Sequence, residues 1–253
     1  MEIRGVAAVV TGGGSGLGAE TARMLGGLGA KVAVLDLDGA KAGAVAKEIG
    51  GIGLACDVGS EPQAEFAMQE ARSAHGPARI LVNCAGLAPA KRIVGRDGPM
   101  PLADFEAVIR VNLIGSFNLM RLAAAEMSGL DPLEDGERGV IVSTASAAAF
   151  EGQIGQAAYA ASKAGVVGLT LPAARELARY GIRVLAVAPG LMATPLLLGM
   201  PQEVQRSLEQ SVPFPNRFGQ PAEFAALVRH MIENRMLNGT VVRLDGALRM
   251  APR

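Results

Sequence analysis

The sequence predicts one α/β domain built on a doubly wound parallel sheet with helices on both faces. Three observations lead to this prediction. Short β-branched runs alternate with longer segments rich in Ala, Leu, Glu and Arg, as in successive βαβ units. The strand-like runs are almost continuously apolar, which is typical of parallel strands buried on both faces. No repeat, linker or break in composition divides the 253 residues, so we expect a single domain over residues 1–253.

The predicted strands and helices alternate along the chain. Right-handed crossovers between the strands then give the doubly wound sheet. The helix predicted at 61–75 has Ser60 as its N-cap and Pro62 in its first turn, both favoured at these positions. The strands are predicted at 6–10, 31–35, 53–56, 80–83, 140–144, 183–188 and 240–244, and the helices at 17–29, 40–49, 61–75, 102–128, 156–180 and 221–234.

Two of these helices are unusually apolar. The helix at 156–180 has almost no polar residue between Ala160 and Leu169, and a helix that is apolar all round must be buried on all sides. The helix at 102–128 is similar. Since one domain of this size cannot bury both, we expect them to pack against another copy of the chain. Pro172 inside the helix at 156–180 predicts a kink there.

Composition excludes several classes of function. Lysine plus arginine equals aspartate plus glutamate, at 24 each, so no basic excess indicates a nucleic-acid partner. No run reaches the ~18 apolar residues of a membrane span, and a first strand near residue 6 leaves no room for a signal peptide. Cys56 and Cys84 are expected as free thiols, and no zinc-site spacing occurs. We therefore expect no metal and a cytoplasmic protein, or one in another reducing compartment.

A glycine-rich loop, Thr11–Gly18, joins the first strand to the first helix. Gly12 allows the turn, Gly16 allows the backbone to approach a pyrophosphate, and Gly18 allows the helix to pack on the strand. The N–H groups at the start of the helix can then bind phosphates. The spacing Gly-x-x-x-Gly-x-Gly differs from Gly-x-Gly-x-x-Gly, and a simple tight turn is the alternative. The position between strand and helix favours a dinucleotide site.

Asp36 stands at the end of the second strand, 18 residues after Gly18. An acid at this position can bind both ribose hydroxyls and would repel a 2′-phosphate. No basic residue lies in the glycine loop or directly after Asp36, and the next base is Lys41. The sequence therefore predicts NAD rather than NADP, with a simple turn residue as the alternative role for Asp36.

Asp57 ends the third strand, where the adenine of a dinucleotide would lie. Its carboxylate could accept a hydrogen bond from the adenine amino group, and the backbone N–H of Val58 could donate one. A helix cap or a turn is the alternative role for Asp57.

Tyr159 and Lys163 are four residues apart, which puts both side chains on one face of a helix. An ammonium ~5 Å from a phenol contributes about 3 kcal/mol at an effective dielectric of ~20, enough to lower the pKa of the tyrosine by about two units. Tyr159 could then accept the proton of an alcohol as hydride leaves, while Lys163 holds the nicotinamide ribose and Ser146 orients the substrate oxygen. The spacing alone is common on helices, so the prediction depends on the glycine loop and Asp36.

These motifs together resemble the short-chain dehydrogenase/reductase family over nearly the whole chain. The stretches that carry the resemblance are Thr11–Gly18, Asn83–Gly86, Val111–Asn112, Ser146, Tyr159 with Lys163, and Pro189–Gly190. Within the family the chain is most similar to the type II 3-hydroxyacyl-CoA dehydrogenases, also called type 10 17β-hydroxysteroid dehydrogenases. This similarity lies in residues 148–159, 188–197, 212–215 and 244–250.

The resemblance implies a Rossmann-type fold with sheet order 3-2-1-4-5-6-7, a nicotinamide cofactor and a homotetramer. It also implies that Asn112 holds a water that relays protons through Lys163, and that Gln153 faces the substrate together with Ser146 and Tyr159. The predicted cofactor site consists of Gly12, Ser15, Gly16, Leu17, Gly18, Asp36, Asp57, Val58, Asn83, Cys84, Ala85, Gly86, Tyr159, Lys163, Pro189, Gly190, Met192 and Thr194.

A long segment at 189–220 is rich in apolar residues and contains five prolines. Such long connections are often lids, and an apolar lid would suit an acyl or steroid-like substrate. An amphipathic helix at 202–211 that merely packs on the core is the alternative. Lys91, Arg92 and Arg206 are candidates for contacts with the phosphates of coenzyme A.

The resulting hypothesis is an NAD-dependent dehydrogenase that converts (S)-3-hydroxyacyl-CoA to 3-oxoacyl-CoA. A hydroxysteroid or other short-chain alcohol dehydrogenase, or a reductase of 3-oxoacyl thioesters, is the alternative among enzymes. A non-catalytic NAD-binding scaffold is the alternative of another class, which the intact set of Asn112, Ser146, Tyr159 and Lys163 disfavours.

Overall fold

A seven-stranded parallel sheet forms the centre of the protein in a computed structural model that describes residues 1–252. Its strands lie in the order β3-β2-β1-β4-β5-β6-β7. A separate two-stranded antiparallel hairpin, Val94–Gly95 with Gly98–Pro99, lies outside this sheet. The order implied by the resemblance is therefore confirmed. The strands are β1 Ala7–Thr11, β2 Lys31–Asp36, β3 Ile52–Ala55, β4 Ile80–Asn83, β5 Gly139–Thr144, β6 Ile182–Pro189 and β7 Val241–Leu244.

The helices agree with the sequence pattern to within a few residues. The region predicted as one helix at 102–128 contains two α-helices joined by a π-helical turn, Arg110–Ile114. The helix predicted at 156–180 is α-helical to Leu177 and ends in a short 3₁₀ turn. The α-helices are α1 Gly16–Gly27, α2 Gly39–Ile49, α3 Glu61–His75, α4 Leu102–Ile109, α5 Gly115–Ser128, α6 Ala157–Leu177, α7 Pro195–Leu198, α8 Gln202–Gln210 and α9 Pro221–Glu233.

The two faces of the sheet carry two separate hydrophobic clusters. Successive residues of a strand point to opposite faces, and β1 follows this rule. Val10 packs in a cluster with Leu25 of α1 and Phe224 of α9, while Val9 packs in a cluster with Leu119 of α5. This burial on both faces explains why the strands are almost continuously apolar.

The strand order reverses at β1, which pairs with β2 on one side and β4 on the other. Ligands of open α/β sheets bind in the crevice outside the carboxyl ends of the strands at such a reversal. Gly12 directly follows β1 there, with φ of 61°. A Cβ on Gly12 would lie 2.7 Å from the backbone of Ala85. Only glycine therefore allows the two chain segments to meet at this crossing.

One face of α6 and of the π-turn and α5 stays exposed in the single chain. Ile114 and Phe117 are 49% and 48% exposed, and Leu171 is 43% exposed. Within one chain only the inner face of α6 is buried, as expected if one domain cannot bury both helices; packing of the outer face against another copy stays a prediction. We call the exposed set the apolar outer face; it comprises Ile114, Phe117, Ala161, Ala164, Gly168 and Leu171.

Among the described residues, the continuous helix Leu102–Ser128 has the length and composition of a membrane span. About half of its most apolar window is buried within the domain, where Leu119 and Met127 belong to the core. A core helix has the same composition, so this helix is weak evidence for a membrane.

The segment at 189–220 contains α7 and α8. No residue of α8 is buried, and Val204 is 43% exposed. The alternative in which this helix merely packs on the core therefore has no buried contact to support it.

Candidate active site

A cleft of about 760 Å³ opens at the carboxyl edge of the sheet. It is bordered by the glycine loop, by the ends of β2 to β6 and by the start of the segment at 189–220. The predicted residues that line it are Gly12, Ser15, Gly16, Leu17, Gly18, Asp36, Asp57, Val58, Cys84, Ala85, Gly86, Ser146, Tyr159, Lys163, Pro189, Gly190, Met192 and Thr194.

The glycine loop opens α1 at the floor of this cleft. Ser15 is the N-cap, and no acidic side chain occupies the first turn. The first N–H groups of a helix have no partner within it, and here they belong to cleft residues Gly16, Leu17 and Gly18. This set of free N–H groups, with no competing carboxylate in the turn, fits the diphosphate of a dinucleotide.

The Asp36 carboxylate is held in a fixed orientation at the rim of the cleft. Its Oδ2 accepts a hydrogen bond from the N–H of Gly14 at 2.9 Å, and its Oδ1 accepts one from the N–H of Asp38 at 3.0 Å. Lys41 packs beside Gly14, but its Nζ pairs with Asp38 Oδ2 at 3.2 Å. Asp36 therefore forms a turn and also presents its charge to the cleft, and Asp38 holds the next base along the chain.

Asp57 likewise combines a turn with a place in the cleft. Its Oδ1 accepts a hydrogen bond from the N–H of Gly59 at 3.0 Å, and its Oδ2 accepts one from Arg110 Nη1 at 2.9 Å. The carbonyl of Val58 accepts a hydrogen bond from Asn118 Nδ2 at 3.0 Å.

Ser146, Tyr159 and Lys163 meet on the opposite wall of the cleft. Lys163 is only 4% exposed, and its Nζ donates to the carbonyl of Thr144 at 2.7 Å. The same Nζ lies 5.8 Å from the centre of the Tyr159 ring. The Ser146 hydroxyl accepts a hydrogen bond from the N–H of Ala148 at 3.1 Å. The structure thus brings together a hydroxyl, a phenol and an ammonium.

Burial dominates the proton affinity of this group. It raises the pKa of Tyr159 above its ordinary value, with the hydrogen bond to Ser146 acting in the opposite direction. Burial lowers the pKa of Lys163 to about 8. The prediction of a lowered Tyr159 pKa is therefore wrong for the protein without a bound cofactor. Loss of hydration disfavours the phenolate more than the neighbouring protein groups favour it.

Asn112 does not line the cleft. It is fully buried in the π-turn, and its Oδ1 accepts a hydrogen bond from the N–H of Leu87 at 2.7 Å. Its Nδ2 donates to the carbonyl of Leu87 and to Ser162 Oγ, both at 2.9 Å. The Asn112 side chain thus fixes Leu87, a residue of the cleft wall, and ties it to α6.

Asn83 and Gln153 also lie outside the cleft. Asn83 is buried and its Nδ2 donates at 3.3 Å to the carbonyl of Ser116 and to Ser143 Oγ, which joins β4 to α5 and β5. Gln153 lines a separate cavity of about 400 Å³, and its Nε2 donates to the carbonyl of Ala251 at 2.9 Å. The structure gives neither side chain a direct contact with the cleft.

Several cleft residues were not predicted as site residues. Arg110 had one available signal, since it is the only charged residue between Glu106 and Arg121 and lies two residues before Asn112. Most of the others are small or apolar residues that the sequence does not distinguish from core residues. The unpredicted set comprises Leu37, Asp38, Cys56, Leu87, Ala88, Arg110, Val111, Thr144, Ala145, Pro195 and Leu197. Within residues 1–252 no group of three or more His, Cys, Asp or Glu side chains could hold a metal ion.

Comparison with known proteins identifies the family. The short chain dehydrogenase family model matches residues 6–204. The chain is 51% identical to 3-hydroxyacyl-CoA dehydrogenase type-2 of Bos taurus, over 99% of this chain and 97% of that protein. It is 34% identical to (3R)-3-hydroxyacyl-CoA dehydrogenase of Mus musculus, over 99% of this chain and 98% of that protein.

The fold agrees with the same assignment. The crystal structure of 3-hydroxyacyl-CoA dehydrogenase type-2 from Mycobacterium avium superimposes with a TM-score of 0.93. The two chains are 42% identical, and 98% of each is covered. The chain therefore belongs to the short chain dehydrogenase family, and it is an oxidoreductase that uses a nicotinamide cofactor on a small-molecule substrate.

Proposed function

We propose that the protein is an NAD-dependent dehydrogenase that oxidises the secondary alcohol of (S)-3-hydroxyacyl-CoA to 3-oxoacyl-CoA. The observation that carries this proposal is the meeting of Ser146, Tyr159 and Lys163 on the wall of a cleft whose floor is the glycine loop. The substrate class comes from relatives of about 50% identity that are named 3-hydroxyacyl-CoA dehydrogenase type-2.

A bound NAD would supply the hydride acceptor and a positive charge in the cleft. Ser146 orients the alcohol oxygen through its hydroxyl, and Tyr159 Oη takes the alcohol proton as general base. Because burial raises the pKa of Tyr159, the phenolate needs cationic neighbours. The ammonium of Lys163, 5.8 Å from the ring centre, is one of them.

Asn112 remains a proposed member of the proton relay through its main chain. Its side-chain amide is bonded to Leu87 and Ser162. Its carbonyl accepts a hydrogen bond from Ser116 Oγ at 2.7 Å, and we propose that a water binds beside this carbonyl. The relay would then run from Tyr159 through Lys163 to a water at this carbonyl.

The preference for NAD is supported by Asp36, whose two oxygens are fixed by backbone N–H groups at 2.9 and 3.0 Å. A carboxylate held at this position bonds ribose hydroxyls and repels a 2′-phosphate. Lys41 is paired with Asp38, so it would not offset this repulsion.

The acyl part of the substrate is proposed to lie under the segment at 189–220. Leu87 and Leu197 line the cleft, and α8 has no buried residue, which suits a cover over an apolar ligand. Among the basic candidates for coenzyme A, Lys91 already pairs with Asp104. Arg92 and Arg206 are therefore the better candidates for phosphate contacts.

We also propose a homotetramer in which the apolar outer face packs against a second copy. A contiguous apolar surface across two neighbouring helices is typical of an interaction site.

The two cysteines are unpaired, which suits the cytoplasm or another reducing compartment.

Replacing Tyr159 by phenylalanine should lower kcat by a factor of about 10²–10⁴, because it removes the general base. NAD binding should persist. The measurement is NADH formation with (S)-3-hydroxybutyryl-CoA, and NADH consumption with acetoacetyl-CoA. Tyr180→Phe is the matched control, since Tyr180 lies beside Arg179 and outside the cleft.

Turnover of the (3R) substrate alone, or of steroid alcohols alone, would move the substrate assignment. NAD binding without turnover on a broad panel of alcohols and ketones would favour the non-catalytic scaffold.

Asp36→Ala should reduce the preference for NAD over NADP by at least about tenfold, because it removes a charge that repels the 2′-phosphate. Kinetics with both cofactors give the ratio of the two kcat/KM values. Asp135→Ala is the control, since this exposed carboxylate pairs with Arg235 away from the cleft. Equal use of both cofactors by the unaltered protein would refute the role given to Asp36.

The unaltered protein should gain about 3 kcal/mol of stability relative to Lys163→Met as pH rises from 8 to 10.5. Burial lowers the pKa of Lys163 from 10.5 to about 8, so between these values the unfolded state binds more protons. Lys163 therefore contributes stability that grows with rising pH, and Lys163→Met lacks this contribution. Thermal unfolding at pH 7 and pH 10 measures the change.

Lys47→Met on the exposed surface of α2 is the control. The difference in stability between this variant and the unaltered protein should be the same at both pH values. A constant difference for Lys163→Met as well would mean that Lys163 keeps its ordinary proton affinity. The substitution should also abolish turnover at every pH.

Phe117→Glu should break the proposed assembly into smaller species, because it places a charge in the apolar outer face. Light scattering during size-exclusion chromatography gives the mass. Phe66→Glu is the matched control and should keep the mass of the unaltered protein, since Phe66 is a 60% exposed phenylalanine on α3, outside this face. If the Phe117 variant keeps the mass of the unaltered protein, this face is not the interface.

A further inference from the structure

Arg110 reaches the cleft from the start of the π-turn. Its carbonyl accepts the N–H of Gly115, five residues later, and its side chain lines the cleft close to Asp57. Nη1 donates to Asp57 Oδ2 at 2.9 Å. Both side chains keep access to solvent, so the pair is open to a ligand.

Gly59 leaves the space that this arginine needs. A Cβ on Gly59 would lie 2.6 Å from Nη1, 3.0 Å from Cγ and 3.2 Å from Cζ of Arg110. The side chain therefore lies along the backbone of Gly59 over most of its length. Two separate contacts, the ion pair and this glycine, hold the guanidinium at the mouth of the cleft.

The loop beneath does not depend on Arg110 for its position. The carbonyl of Val58 is held by Asn118 Nδ2 at 3.0 Å, and Gly115 allows close packing of α5 on Val58. A half-exposed single ion pair adds little to folding stability. A role toward a ligand accounts for its place in the cleft better than a role in folding.

The geometry points to Arg110 as a positioning residue for the adenine half of the nicotinamide dinucleotide, acting through Asp57. The N–H of Gly59 holds one carboxylate oxygen of Asp57 and Arg110 holds the other, so the carboxylate cannot rotate. Each oxygen keeps a lone pair that can accept from an exocyclic amino group. The guanidinium adds a planar cation that attracts an anionic ligand and can stack on a base.

This inference rests on the proposed dinucleotide site. It assigns the adenine end of the cleft to a pair of residues that are 53 positions apart in sequence, and the nicotinamide end to the opposite wall.

Calorimetric titration of the purified full-length protein with AMP, nicotinamide mononucleotide and NAD tests it. Arg110→Met should weaken AMP and NAD binding about five- to thirtyfold, because the Asp57 carboxylate loses one of the two bonds that orient it and the ligand loses an attractive cation. Nicotinamide mononucleotide should bind unchanged. The KM for NAD should rise by the same factor while kcat stays within about twofold.

Arg229→Met is the matched control, because Arg229 is 49% exposed, like Arg110 at 47%, and makes one ion pair on α9. It should leave all three titrations and the melting temperature unchanged. Unchanged AMP affinity in Arg110→Met overturns the inference. Equal weakening of AMP and nicotinamide mononucleotide, or a large fall in melting temperature, also overturns it, since either outcome indicates a general structural role.

The proposed preference for NAD can be wrong independently of the role of Arg110. If the unaltered protein binds NADP in place of NAD, the NAD preference is wrong. The comparison with AMP still decides the role of Arg110, because AMP carries no 2′-phosphate.

Discussion

The burial of one ammonium group, that of Lys163, is the constraint on which the rest of the site depends. An unpaired charge in the interior is costly, and here a single protein acceptor, the carbonyl of Thr144, is bonded to Nζ at 2.7 Å. That carbonyl is available because β5 ends at Thr144. The sheet and the buried face of α6 therefore fix the position of the ammonium group. The lowered pKa of Lys163 reflects the cost of burying its charge. Charged groups buried at such a cost are common at functional sites, where stability is given up for reactivity.

The π-turn places residues for both ends of the cleft. Arg110 at its start reaches the pair with Asp57 at the cleft mouth. Asn112, two residues later, points inward and fixes Leu87 and Ser162. A π-turn inserted in a long helix shifts the residues after it relative to those before it, and such turns are frequent at functional sites. Here the shift lets the helical region reach the mouth of the cleft through Arg110 and the core through Asn112.

Much of this arrangement could be predicted from the sequence, because it depends on local pattern. The strands follow from apolar runs, and the glycine loop follows from its position between a strand and a helix. The four-residue spacing of Tyr159 and Lys163 correctly put them on one helix face. The pKa values of these two residues could not be obtained this way. Their spacing predicts the Coulomb attraction between them, but it does not predict how far each side chain is removed from water. The direction of Gln153 could not be predicted either, because its partner is a backbone carbonyl near the other end of the chain, that of Ala251.

Helix α6 has two faces of different chemistry. Lys163 faces the cleft, while Ala161 and Ala164, on either side of it in sequence, belong to the apolar outer face. Small residues there permit close approach of another helix without long side chains to reorder. If the proposed assembly forms, contact on this outer face restrains α6 along its length and so restrains the distance between Lys163 and Tyr159. Because effective proton transfer depends on that distance, the proposed packing would support the proposed proton transfer as well as the assembly.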